Sequence, residues 1–178
     1  MEWLDDYLGL TIFVILVAVF VPLERLAPFH DQPVLRRNWS HDLSFYLINR
    51  IVVYGGGLLM IAGALFLRGQ VIPEAVTAKV SELPIWIAVP LAILVADLTF
   101  YTVHRACHRF PVLWQFHAVH HSIQNMDWLA SVRVHPLDQL ITTVSGICLQ
   151  LALGFSPTTL VITGTIYMWQ SYAVHSNV

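Results

Sequence analysis

Histidines crowd one short stretch of this 178-residue chain. Nine are present, as many as the lysines and arginines together, and five of them lie within 18 consecutive residues. His104 and His108 are four residues apart, as are His117 and His121, so each pair shares one face of a helix. His120 adds an imidazole beside the second pair. Imidazole nitrogens bind zinc, copper, iron and nickel, so this spacing predicts a metal site.

Two further histidines, His135 and His175, are predicted to join that site. His135 stands directly before Pro136, so capping the start of a helix is its alternative role. Seven imidazoles are more than a single ion normally takes, which makes two ions the simpler expectation. Iron is the metal that performs oxygen chemistry with such ligands.

Other metal chemistries fit the pattern less well. A zinc protease would carry His-Glu-x-x-His, with the glutamate as base, whereas Arg105 takes that position after His104. Two histidines four residues apart on one helix cannot bind opposite faces of a single haem.

Two charged residues near the histidines are also candidates. Asp97 precedes His104 by two helical turns on the same face, which suits a carboxylate that orients an imidazole or binds the metal. An ion pair with Arg105 or Arg109 is the alternative for Asp97. Arg133 is either a structural ion-pair partner or a contact for lipid headgroups.

The surrounding sequence is strongly apolar. Hydrophobic residues make up 57%, charged residues 11%, the mean hydropathy is +0.66 and the net charge is −2. Soluble domains carry about 25% charged residues, and nucleic-acid binders need a basic surface, so both classes are disfavoured. Five apolar segments cover residues 7–22, 43–67, 84–103, 137–153 and 158–174. The sequence therefore predicts an all-α integral membrane bundle of four to five transmembrane helices, with a cytoplasmic histidine-rich helical region.

The order of these segments should bring distant histidines together. The break at Gly154–Pro157 is short enough only for a tight turn between antiparallel helices. Arginines are more numerous in the first and third connections between the apolar segments, and the positive-inside tendency places these connections in the cytoplasm. His104, His135 and His175 should then meet at the cytoplasmic end of the bundle. A metal or proton transporter is less favoured, because its histidines would lie at mid-membrane.

The motifs also follow one another in the order and spacing of a known family. They are Asp97-x3-Tyr101-x2-His104, His104-x3-His108, Leu113-Trp114-x2-His117-x2-His120-His121-Ser122, Arg133-x-His135-Pro136 and His175-Ser-Asn177. In these motifs the chain resembles the membrane fatty acid hydroxylase superfamily, also called the sterol desaturase family. The resemblance covers roughly residues 97–178. It implies N-terminal membrane helices and loops in residues 1–83 and a fatty acid hydroxylase-like catalytic domain in residues 84–178.

The resemblance further implies a dinuclear metal centre. Its cofactors would be two iron ions, with zinc as an alternative occupant, and its co-substrate would be O2. The implied metal ligands are His104, His108, His117, His120, His121, His135 and His175. Residues implied to surround the metals, or to add a ligand, are Asp97, Tyr101, Arg133 and Asn177.

The implied activity is hydroxylation or desaturation of a lipid C–H bond. The partners would be the bilayer, a lipid substrate such as a fatty acyl chain or sterol, and an external electron donor such as a ferredoxin or cytochrome b5-type protein. An external donor is needed because the chain shows no flavin or nicotinamide fingerprint.

One departure from the family pattern affects these expectations. The pattern continues after His-Ser-Asn to a last box of the form His-x2-His-His, whereas this chain ends at Val178. We therefore expect an incomplete catalytic domain that lacks the last box. A catalytically incompetent fragment, or a non-catalytic family member, is the alternative function.

Overall fold

Helices form all the regular structure in the described part of the chain. The computed structural model describes the backbone of residues 2–178, and the side chains of residues 10–178 except 53, 54, 60 and 67. The α-helices are α1 (Glu2–Leu26), α2 (Trp39–Val71), α3 (Glu74–Ser81), α4 (Ile85–Arg109), α5 (Pro111–His117), α6 (Pro136–Leu153) and α7 (Pro157–His175). Two 3-10 turns, His120–Ser122 and Trp128–Val132, lie between α5 and α6. The all-α prediction is confirmed.

Among the described residues, three of these helices are long and apolar enough to cross a membrane. They are α2, α4 and α6. Large apolar side chains on α2 face outward, with Ile51, Leu59 and Phe66 each about three-quarters exposed. Outward apolar surface of this extent fits a lipid environment better than water. The bundle is therefore a membrane bundle, and the number of four to five spans stays a prediction.

The turn between α6 and α7 depends on Gly154. This residue has φ of 96°, in the left-handed region, and a Cβ added to it would lie 2.7 Å from the carbonyl oxygen of Thr77. Ser156 then caps α7, its hydroxyl accepting the backbone N–H of Thr159. Both α6 and α7 pack against α4. The reversal returns the chain to the end of the bundle at which α4 finishes.

Small residues let α2 and α6 approach closely. A Cβ on Gly56 would lie 3.0 Å from a methyl carbon of Leu140, and one on Gly57 would lie 3.7 Å from Val144. Helices in membranes commonly use glycine in this way, because packing replaces the hydrophobic driving force. The α2–α6 contact sets the first turns of α6 beside the middle of α2.

An aromatic core joins α1 and α7 to the loop that follows α5. Leu16 and Phe20 pack with Trp128, Leu129 and Tyr172, all of them buried. Beneath this core, buried Glu24 accepts the backbone N–H groups of Trp128 and Asn177. The buried carboxylate thereby pairs two backbone N–H groups that have no partner within a helix, and it fixes the irregular backbone around them. The loop and the end of α7 are thereby held together.

Candidate metal centre

Four imidazoles converge where α4 ends. His104 and His108 occupy the last turns of α4, His117 ends α5, and His121 lies in the 3-10 turn that follows. Their ligand nitrogens all lie within 4.8 Å of one another. Pro111 starts α5 immediately after the extended residue Phe110, and this break allows α5 to turn the second histidine pair towards the first.

The spacing of these nitrogens suits a metal ion. The Nε2 atoms of His104 and His108 are 3.1 Å apart, and those of His117 and His121 are 3.2 Å apart. Two ligands on one ion lie about 3.0–3.4 Å apart when each metal–nitrogen bond is about 2.1 Å long. The donor set is entirely imidazole, which suits iron or zinc rather than calcium or magnesium. The four residues therefore fit a metal as ligands.

His120 and His175 form a second pair beside the first group. Their Nε2 atoms are 3.2 Å apart. The Nδ1 of His120 is 3.3 Å from the carbonyl oxygen of Arg133, and the Nδ1 of His175 is 2.6 Å from that of Ser171. Because a carbonyl only accepts, each Nδ1 carries the proton and donates it, and each Nε2 keeps a lone pair for a metal.

The two groups adjoin one another. The ring centre of His120 lies 5.6 Å from that of His121 and 5.9 Å from that of His117. Burial, followed by the nearby His175, lowers the pKa of His120 to about 4. Burial also lowers the pKa of His121, with His117 and His108 acting in the same direction. Both rings are thus kept neutral near pH 7, which is the form that binds metals.

The structure places three candidates outside this cluster. His135 caps α6, its Nδ1 accepting the backbone N–H of Leu137 at 3.2 Å. Asp97 accepts the hydroxyl of Tyr167 on α7 rather than a bond from an imidazole. The hydroxyl of Tyr101 accepts a bond from Arg105 at 2.7 Å. Metal-binding roles for these three residues stay predictions.

Arg133 and Asn177 hold the loops that carry histidines. Arg133 forms an ion pair with buried Asp42 on α2, while its carbonyl bonds His120. The side chain of Asn177 accepts the N–H of His30 at 2.9 Å and donates to its carbonyl at 2.7 Å. This pair of bonds fixes the chain immediately after His175.

Comparison with known proteins assigns the family. The model of the family "Fatty acid hydroxylase" matches residues 89–178, which include every histidine of both groups. The chain belongs to the fatty acid hydroxylase family. The resemblance seen in the motifs is confirmed.

Two curated relatives of this fatty acid hydroxylase family member are similar over different lengths. Ornithine lipid hydroxylase OlsE of Rhizobium tropici is 25% identical over 175 residues, which cover 91% of this chain and 50% of the relative. Fatty acid hydroxylase vlmA of Lecanicillium sp. is 46% identical over 41 residues, which cover 22% of this chain and 11% of the relative. The chain thus spans at most half the length of these relatives. No solved structure matches it.

Sequence reasoning missed one residue of this family member's site. Asp138 on α6 is 2% exposed, and its Oδ2 lies 2.9 Å from Nδ1 of buried His117. The carboxylate accepts the Nδ1 proton, so that the Nε2 lone pair faces His121. Cys107 lies next to the same carboxylate, with its sulfur 3.8 Å from Oδ1. The available signal was that Asp138 is the only charged residue in the apolar segment 137–153.

Proposed function

We propose that this chain carries the metal-binding part of a membrane di-iron oxygenase. Such an enzyme hydroxylates, or desaturates, a C–H bond of a lipid with O2 and externally supplied electrons. The observation that carries the proposal is the cluster of His104, His108, His117 and His121, whose Nε2 pairs have the spacing of metal ligands. Family membership supports a lipid as the substrate.

The chain's own residues have distinct tasks in this proposal. The four-histidine cluster would hold one ion, and His120 with His175 would contribute to a second. Iron bound in this way supplies the activation of O2 and the removal of hydrogen from an unactivated C–H bond. Asp138 keeps the Nδ1 proton on His117, and the carbonyl of Arg133 keeps that on His120. These bonds fix the tautomers and ring orientations before any ligand binds.

The lipid would reach the cluster along α4. Leu98, Phe100 and Tyr101 are about half exposed on that helix, and the ring of Phe100 stacks on His104 with centres 5.3 Å apart. An acyl chain lying against this surface would present its C–H bonds beside the imidazoles. Positioning by the long apolar body of a substrate is an efficient source of rate enhancement.

The proposal also includes the orientation of the protein in the membrane, the limits of its catalytic domain and its electron-donating partner. The positive charges in the first and third connections support a cytoplasmic location for the histidines. We infer that residues 84–178 form the catalytic domain after the N-terminal helices. Electrons would come from a separate ferredoxin or cytochrome b5-type protein.

Lipid analysis of a bacterial host that expresses the protein tests the function. Mass spectrometry should reveal lipids that have gained one oxygen atom or lost two hydrogens, and the His117→Ala variant should abolish these products. His41→Ala is the matched control, because His41 is exposed and lies outside both histidine groups. If the metal-loaded protein forms no such lipid when an electron donor is supplied, the non-catalytic alternative is favoured.

A further inference from the structure

A polar cavity lies beside the histidine turn. Its volume is about 320 Å³, and it opens between the start of α2 and the loop after His121. Cations and amides dominate its lining, which includes Arg36, Arg37, Asn38, Gln124, Asn125 and Arg133. No Asp or Glu is among the described residues that line it.

Two of the arginines in this cavity are buried and rigidly held. Arg36 is 2% exposed and Arg133 is 8% exposed. Asp42 pairs with both guanidinium groups, and Asp127 pairs with Arg36 at 2.8 Å. Fixed guanidinium groups lose little conformational freedom on binding a ligand, which favours recognition of planar or tetrahedral oxyanions.

One of the arginines that line this cavity carries a donor that has no partner within the described protein. The Nη2 of Arg133 is buried and forms no hydrogen bond there. A buried charged donor without an acceptor is strongly unfavourable, so a bound ligand that supplies an acceptor would be stabilised here. Arg37 adds a positive charge that is additional to the two Arg–Asp pairs, which makes an anion the fitting ligand.

The position of the cavity indicates the source of that anion. Trp39 begins α2, a candidate membrane span, so the cavity lies at the level of lipid headgroups. Val34 and Leu35 are half or more exposed beside Arg36 and would contact the adjoining lipid. Arg133 also links the cavity to the metal centre, because its carbonyl bonds His120.

We propose that this cavity binds the oxyanion, phosphate or carboxylate, of a lipid headgroup. The headgroup would thereby anchor the lipid whose chain lies at the histidines. This substrate assignment rests on the proposed lipid oxygenase function, whereas the binding itself requires no metal.

Calorimetric titration of the full chain in neutral detergent, after chelator treatment, tests the proposal. The probes are dihexanoylphosphatidic acid, inorganic phosphate and dihexanoylglycerol. We expect the anionic lipid to bind more tightly than phosphate, and the uncharged lipid to show no specific binding. Arg133→Lys keeps a cation for Asp42 but removes Nη2, and should weaken lipid binding about tenfold.

A second variant keeps the test decisive if Arg133→Lys fails to fold. Arg37→Gln changes an exposed residue and should weaken binding about fivefold. Lys79→Gln on α3 removes an equal charge at the other end of the bundle and should have no effect. Equal binding by wild type and Arg37→Gln, or no binding at all, would overturn the proposal. Phosphate binding as tightly as the lipid would overturn the headgroup assignment.

Failure of the headgroup site can be distinguished from failure of the proposed oxygenase function. Arg37→Gln should leave the metal content unchanged, and chelator-treated protein should still bind the anionic lipid. A protein that holds metal but fails the titration would refute only the headgroup site. A protein that binds the lipid but holds no metal would refute only the oxygenase.

Discussion

At the scale of single residues, the centre depends on which nitrogen of each ring carries the proton. Asp138 and the carbonyls of Arg133 and Ser171 hold Nδ1 protons on three imidazoles. The histidine spacing predicted the candidate ligands from sequence, but it contained no information about these acceptors. Two of them are backbone atoms, which only the folded loops bring into place.

The carboxylate of Asp138 should strengthen metal binding through His117. Replacing it in Asp138→Asn removes the ionised acceptor, and we expect metal affinity to fall about 10- to 100-fold. Competition with a chelator measures this affinity. Asp97→Asn is the matched control, since Asp97 contacts Tyr167 instead of an imidazole. Equal losses in the two variants would contradict the structure.

The low pKa of His120 predicts how stability depends on pH. Its pKa is about 4 in the folded protein, against an ordinary value of 6.5. The unfolded chain therefore binds the proton more readily, and stability should fall as the pH drops from 6.5 towards 4. Thermal unfolding of metal-free protein should show a weaker pH dependence in His120→Asn. An unchanged dependence would show that His120 contributes nothing to it.

At the scale of elements, the apolar segments predicted the long helices and little of what connects them. Four of the five segments lie wholly within observed α-helices, and the segment 84–103 begins one residue before α4. The spacing of His117 and His121 predicted that both lie on one helix, whereas the structure has α5 ending at His117 and a separate 3-10 turn at His120–Ser122. The short helix α3 and the 3-10 turn at Trp128–Val132 were not predicted, because contacts distant in sequence stabilise them. Asp127, for example, caps the turn at Trp128–Val132 by accepting the N–H of Ala130, while Arg36 holds its carboxylate.

The reversal at Gly154 should tolerate no side chain. Gly154→Ala combines an unfavourable φ with a clash against the Thr77 carbonyl, and should lower the free energy of unfolding by about 1–3 kcal/mol. Gly164→Ala in α7 is the control, since a Cβ there meets nothing within 4 Å, and its stability should be unchanged or slightly raised. Denaturation in detergent compares the two. Equal stability of both variants would contradict the described turn.

At the scale of the whole molecule, the bundle brings histidines that are distant in sequence together at one of its ends. The ends of α4, α5 and α7 and the turn between them supply the six clustered histidines. Segment order and loop charges predicted this gathering. They contained no information about the cap that the ring of His135 forms at the start of α6, because that bond depends on local backbone geometry.

The histidine end of the bundle should face the cytoplasm. In oriented membrane vesicles, a cysteine at Gln124→Cys should react with a membrane-impermeant maleimide only from the cytoplasmic side. A cysteine at Lys79→Cys on α3 should react only from the opposite side. The unsubstituted protein measures the background from Cys107 and Cys148, which are buried and half-buried. The reverse labelling pattern would contradict the positive-inside assignment.

The metal content of the purified chain tests the proposed metal centre directly. Elemental analysis of iron and zinc should find at least one tightly held ion per chain, with a second that exchanges more readily because only two clustered histidines hold it. His117→Ala should lose the tight ion, and His135→Ala should keep it, since His135 caps α6. A wild-type chain without metal, or equal losses in the two variants, would contradict the proposed metal centre.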